Sequence, residues 1–193
     1  MYNLAQRLAG KPNLYPVFVR EHLRPVPGAR ILDIGCGTGE LLKYLPAVSY
    51  LGVDINDDYI ASARGQYPGR GEFVHADLRH VALRGDPFDV VVAVGVVHHL
   101  DDEAAAALVA LARRALAAGG RFVLLEPCRL AGQPLIAKVV IAMDRGEHVR
   151  DRAGYEHLLR LHFGDVSGAT RADLLLVAST HVVFECRAGA TAA

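Results

Sequence analysis

The side chains of this sequence that could do chemistry stand where apolar runs end. Asp54 closes Tyr50-Leu51-Gly52-Val53, Asp77 comes soon after Phe73-Val74-His75, and His98-His99 follow the long apolar run that begins at Phe88. A carboxylate at a strand tip can accept two charge-assisted hydrogen bonds from a ribose diol. A neutral imidazole can take the proton of a hydroxyl or amine while that atom attacks an electrophile. His99 is the first candidate for such a base and His98 the second. Either could instead bond backbone and hold its loop.

A glycine loop, Asp33-Ile34-Gly35-Cys36-Gly37-Thr38-Gly39, lies between the apolar Arg30-Ile31-Leu32 and the helical pattern Glu40-Leu41-Leu42-Lys43-Tyr44-Leu45. Glycines permit φ > 0 and let backbone approach a ligand with no Cβ in the way. A helix start would add free N–H groups and partial positive charge. The spacing is Gly-x-Gly-x-Gly. The last glycine of the dinucleotide fingerprint would fall at position 40, which is Glu40, and its charge opposes a pyrophosphate there. An adenosine cofactor without phosphate, S-adenosylmethionine, suits the loop better. The alternative is a tight turn with no ligand. Cys36 is a small side chain that fits inside such a loop.

Strands must carry these residues. The pattern predicts strands at 30–34, 50–54, 72–75, 88–94 and 121–126, with helices at 39–45, 57–66 and 102–117 between them. Asn56 and Asp101 are expected N-caps, and Gly119-Gly120 a helix stop. Two short helices, or one interrupted, are expected at 1–9 and 14–23. Further helices are expected at 134–143 and 152–162. A hairpin should end the fold, one strand within 166–176 and the last at 181–186.

Five alternating strands and a terminal hairpin, together with Ile31-Leu32-Asp33-Ile34-Gly35-Cys36-Gly37-Thr38-Gly39, resemble the class I S-adenosylmethionine-dependent methyltransferases of the small-molecule type. The resemblance implies a three-layer α/β/α Rossmann-like fold with a seven-stranded, mostly parallel sheet in order 3-2-1-4-5-7-6, strand 7 antiparallel. It implies S-adenosylmethionine as cofactor, S-adenosylhomocysteine as product, and a methyl group passed to oxygen, nitrogen or carbon of a small molecule by in-line displacement. It also implies the contacts: Gly35, Gly37, Gly39 and Cys36 beside the methionine end, Asp33 near its amino group or tying the loop, and Asp54 on the ribose. Ile55 would lie on the adenine face, Asp77 and the Leu78 N–H at the adenine edge, and Val94 near the methionine portion. Two alternatives are a nicotinamide-dependent oxidoreductase, which Glu40 and the hairpin oppose, and a catalytically silent methyltransferase-like binding subunit.

The remaining composition narrows the classes. The chain has 193 residues, 52% of them hydrophobic, and zero formal net charge. A single methyltransferase domain is expected, with 1–27 as a helical cap and 128–162 as a substrate-side insertion. Balanced charge gives no electrostatic reason for nucleic acid or an acidic membrane as partner. Three scattered cysteines, Cys36, Cys128 and Cys186, fit reduced thiols and a cytoplasmic location. No secretory pattern follows Met1, and no run of 18 apolar residues occurs. Dispersed histidines without cysteine partners give no reason to expect a metal. In the insertion, Leu135, Ile136, Val139, Val140 and Met143 form an apolar face. Arg145, His148 and Arg150 are candidates for an anionic substrate group, or members of local ion pairs. Tyr2, Tyr15 and Arg20 could close over the cofactor carboxylate, and Tyr155 could reach a pocket.

Overall fold

The computed structural model describes residues 14–81, 83, 85–130, 147–174 and 180–188. Its strands are β1 (Arg30–Ile34), β2 (Ser49–Asp54), β3 (Glu72–His75), β4 (Phe88–Val94), β5 (Leu116–Pro127), β6 (Asp165–Arg171) and β7 (His181–Arg187). They form one sheet in the order β3-β2-β1-β4-β5-β7-β6. The pairs from β3 across to β5 are parallel, whereas β7 runs antiparallel to both β5 and β6. This is the expected sheet, and the order reverses beside β1, where open α/β sheets hold ligands.

Alternation along the central strands builds two cores. Leu32, Ile34, Val91, Ala93, Phe122 and Leu124 face one side, under α3 (Asp102–Ala115) and α4 (Arg152–Arg160). Ile31, Val90, Val92, Val123 and Leu125 face the other, with Ile60 and Ala63 of α2 (Asp57–Gln66) and with Phe18 and Leu23. Strands buried on both faces read as continuous apolar runs, which is why β4 is so plain in the sequence. Asn56 caps α2 through its side chain and Asp101 caps α3, as expected. Asp151 caps α4 in the same way.

Several boundaries differ from expectation. The helix after the glycine loop is a 3₁₀ segment of five residues, Glu40–Tyr44. Residues 14–23 are α1 (Leu14–Phe18) continued by a π-helical turn, Val19–Leu23. α3 stops at Ala115, and β5 begins at once, at Leu116. Gly119-Gly120 therefore do not end a helix. They lie in an irregular stretch of β5 whose register shifts against β4 between Phe88 and Val90. Backbone crowding accounts for the glycine: a Cβ on Gly120 would stand 3.0–3.1 Å from the carbonyl oxygens of Ala117, Phe88 and Asp89. The helices expected at 1–9 and 134–143 lie outside the described residues.

Candidate active site

The loop after β1 takes the left-handed conformation three times, with φ of 73° at Gly35, 55° at Gly37 and 76° at Gly39. Only glycine adopts this region without strain. The three glycines have different surroundings. A Cβ on Gly35 would come within 2.3 Å of Val96 Cγ2, and one on Gly39 within 2.8 Å of Phe73 Cε1. Those two positions admit packing by the protein itself. Over Gly37 nothing lies within 4 Å, so this backbone faces open space. Cys36 is buried and packs towards Gly52, and burial pushes its thiol well above the ordinary range, so it is not a reactive group. The segment that follows is a five-residue 3₁₀ helix with Glu40 in its first turn, a charge that opposes a phosphate there.

Asp54, at the tip of β2, is bound into this loop. Its Oδ2 accepts from the Gly37 N–H at 2.8 Å, and its Oδ1 from the Asn56 N–H at 2.9 Å. An ionised carboxylate has about four lone-pair directions, so each oxygen retains acceptor capacity toward the open side. Beside it Ile55 is 65% exposed, an apolar side chain at the surface. Leu78, three residues past β3, and Val94, the last residue of β4, are half-buried. Asp77 is engaged differently from the expectation: Arg79 forks onto both of its oxygens, at 2.5–3.1 Å, and donates its own N–H as well. Those bonds hold the Asp77 carboxyl well below the usual range.

Asp33 does not tie the loop; Asp54 does. The Asp33 side chain turns into the core and accepts from the Tyr50 hydroxyl at 2.6 Å. It is 3% exposed, and burial pushes its pKa up to about 7 against the opposing Tyr50 bond, with the Asp54 charge adding to the rise.

The exit of β4 is organised by a residue that the motifs did not single out. Glu126, fully buried near the end of β5, accepts from the Val96 and Val97 N–H groups at 2.9 and 2.7 Å through Oε1. Its Oε2 accepts from the His98 N–H at 3.3 Å and bonds His98 Nδ1 at 2.6 Å. His98 is buried against this carboxylate, whereas His99 is exposed, its ring centroid 4.0 Å from that of His98. A glutamate in a strand buried on both faces must have donors around it. That was the available signal for Glu126 in Leu124-Leu125-Glu126-Pro127.

A family model for a methyltransferase domain matches residues 31–120, the stretch that carries the loop, Asp54, Asp77 and both histidines. Residues 31–120 are a class I S-adenosylmethionine-dependent methyltransferase domain. The relatives differ in acceptor. An O-methyltransferase of Pyrenophora dematioidea is 34% identical over 96 residues, 46% of this chain and 36% of that protein. Probable tRNA methyltransferase 9B of Mus musculus is 38% identical over 74 residues, 38% of this chain and 16% of that protein. The chain thus spans well under half the length of these relatives. A TehB-like SAM-dependent methyltransferase from Corynebacterium glutamicum shares the fold, with TM-score 0.70, 21% identity and 96% of each chain covered.

Other candidates make contacts of their own within the described residues. Tyr155 is core: it is fully buried, and its hydroxyl donates to the Pro127 carbonyl at 3.1 Å. Tyr15 stacks on Tyr44, with ring centroids 5.8 Å apart, and Arg20 pairs with Glu21 at 2.7 Å. Arg150 is not a free anion receptor, since its guanidinium is spent on Asp102 and three backbone carbonyls. His148 is exposed, and its N–H donates to the His98 carbonyl at 3.0 Å. Tyr2, Arg145 and the apolar face of residues 135–143 lie outside the described residues. Among the described residues no group of three or more His, Cys, Asp or Glu is arranged to hold a metal ion, and no helix is long and apolar enough to cross a membrane.

Proposed function

We propose that the protein transfers the methyl group of S-adenosylmethionine to a small molecule, with His98 as the proton acceptor where the attacking atom is a hydroxyl oxygen or an amine nitrogen. The observation that carries the cofactor assignment is the open space over Gly37 beside Asp54. Glycine backbone, a strand-tip carboxylate with unused lone pairs and the exposed Ile55 meet there. They fit a phosphate-free adenosine ligand. Asp54 would take the ribose hydroxyls, Ile55 one face of the adenine, and Asp77 with the Leu78 N–H its edge. For Asp77 this requires sharing its oxygens with Arg79. Val94 would wall the methionine end. The sulfonium supplies an electrophilic methyl carbon with a good leaving group, so the protein's task is alignment and exclusion of water. Alignment alone can supply roughly 7–11 kcal/mol.

His98 is preferred to His99 because of Glu126. A carboxylate accepts only, so His98 Nδ1 is the donor of that pair. In the neutral ring the lone pair then resides on Nε2, and the imidazolium formed on proton uptake is stabilised by the buried carboxylate. His99 is exposed to solvent, whereas His98 is enclosed against the carboxylate that would stabilise its charged form. Zero net charge favours a small acceptor over a polynucleotide, whose phosphates select basic surfaces. No divalent cation is needed for this chemistry. Screening hydroxyl- and amine-bearing small molecules and tRNA, read as S-adenosylhomocysteine release, tests the proposal. Small molecules are expected to turn over. His98→Ala is expected to lose about 100-fold or more in kcat while retaining cofactor affinity. Turnover of tRNA alone, or an undiminished His98→Ala, contradicts it.

A further inference from the structure

The side chain that grips the catalytic loop from the opposite side to Glu126 is Arg150. All five guanidinium N–H donors are used. Nη1 donates to the carbonyls of Val97 at 3.2 Å and His148 at 3.1 Å. Nη2 donates to the Leu100 carbonyl at 3.1 Å and to Asp102 Oδ1 at 2.6 Å, and Nε reaches the same oxygen at 3.3 Å. Of these partners Asp102 contributes little, for its side chain is 97% exposed and the pair is screened by water. The backbone carbonyls are the substantial part. Arg150 is itself only 13% exposed, and its guanidinium lies 6.0 Å from the centre of the buried Tyr155 ring.

The two clamps are complementary. The single turn Val97–His99 has its leading N–H groups held by an internal anion, Glu126, and its flanking carbonyls held by an internal cation, Arg150. The clamps are also fixed to each other. The Arg129 N–H donates to the Arg150 carbonyl at 3.2 Å, and the Tyr155 hydroxyl joins the Arg150 N–H to the Pro127 carbonyl, next to Glu126. The His148 N–H completes the frame on the His98 carbonyl.

We propose that Arg150 is a positioning residue for the proton acceptor: it pins the segment 147–150 to the carbonyl groups on either side of His98, so that the imidazole is held at one angle against Glu126. This rests on the assignment of His98 above and adds the means by which the segment after β5 fixes the base. Arg150 then acts through His98 and touches neither cofactor nor acceptor. The role suits arginine, because one planar fork serves four separate oxygens, which an ammonium cannot do.

Nitrogen-15 NMR of the His98 ring, with S-adenosylhomocysteine calorimetry as companion, tests this. In the native protein the Nδ1–H is expected to be protected from solvent exchange. In Arg150→Met it should exchange about tenfold faster or more, because the turn opens locally, while S-adenosylhomocysteine affinity stays within about threefold. Arg150→Lys, with fewer donors, should give an intermediate rate, and it decides the matter should the methionine variant not fold. An unchanged His98 signal and exchange rate in a folded variant overturns the proposal. Failure of the native protein to bind S-adenosylhomocysteine would instead overturn the cofactor assignment and leave the NMR result to stand.

Discussion

At the scale of single residues, the two aspartates around the glycine loop have opposite tasks. Asp54 remains partly exposed and accepts from two backbone N–H groups, which keeps acceptor capacity at the cleft. Asp33 is enclosed with the Tyr50 hydroxyl. Its pKa is raised in the fold to about 7, from about 3.8, so the folded state prefers its neutral form. The sign follows. The stabilisation is complete below pH 4 and is lost as pH rises towards 7, where the unfolded chain binds fewer protons than the native one. Asp33→Asn keeps an acceptor for Tyr50 and cannot ionise. In cofactor-free protein its stability relative to native Asp33 should rise between pH 4 and 7, reaching on the order of 2–4 kcal/mol. Urea melts across that range check this, and a pH-independent difference contradicts it. The placement of the glycines, Asp54 and Ile55 at the ends of β1 and β2 was legible because strand ends announce themselves. Glu126 and the burial of His98 beside an exposed His99 were not, since they depend on a contact between residues 28 positions apart.

Among the elements, the strands with continuous apolar runs were the most easily read, and the edge strand β3 was read as well. β1, β3 and β4 have the predicted limits, and so does α2 with its Asn56 cap. The error at α3 and β5 has a definite cause. Leu116-Ala117-Ala118-Gly119-Gly120 continues an alanine-rich helical pattern, and local propensity favours helix there. Pairing of Leu116 with Phe88 overrides it. Gly120 is therefore needed for space, not for ending a helix. Gly120→Ala would press its methyl against three carbonyl oxygens and should destabilise the fold by about 1–3 kcal/mol. Thermal unfolding of that variant measures the cost; a melting temperature equal to the native one would show that the irregular start of β5 can spread. The 3₁₀ segment Glu40–Tyr44 was read as an ordinary helix because its apolar residues, Leu41 and Leu42, suit either form.

For the whole molecule, the sheet order brings the carboxyl ends of β1, β2, β3 and β4 to one rim, and every proposed cofactor contact lies on it. The segment that Arg150 ties down flanks the turn Val97–His99, and that turn meets the glycine loop through Val96, which packs on Gly35. A ligand bound only by the folded state adds stability according to its concentration relative to Kd, so cofactor should also raise the melting temperature. The central claim is that the open backbone at Gly37 and the Asp54 carboxylate form an adenosine site. Calorimetric titration of S-adenosylmethionine into native protein and Asp54→Ala tests it most directly. Saturable binding to the native protein is expected, with affinity weaker by about tenfold or more in the variant through the loss of charge-assisted hydrogen bonds. No binding to the native protein at millimolar cofactor, or equal affinity in both proteins, would contradict it.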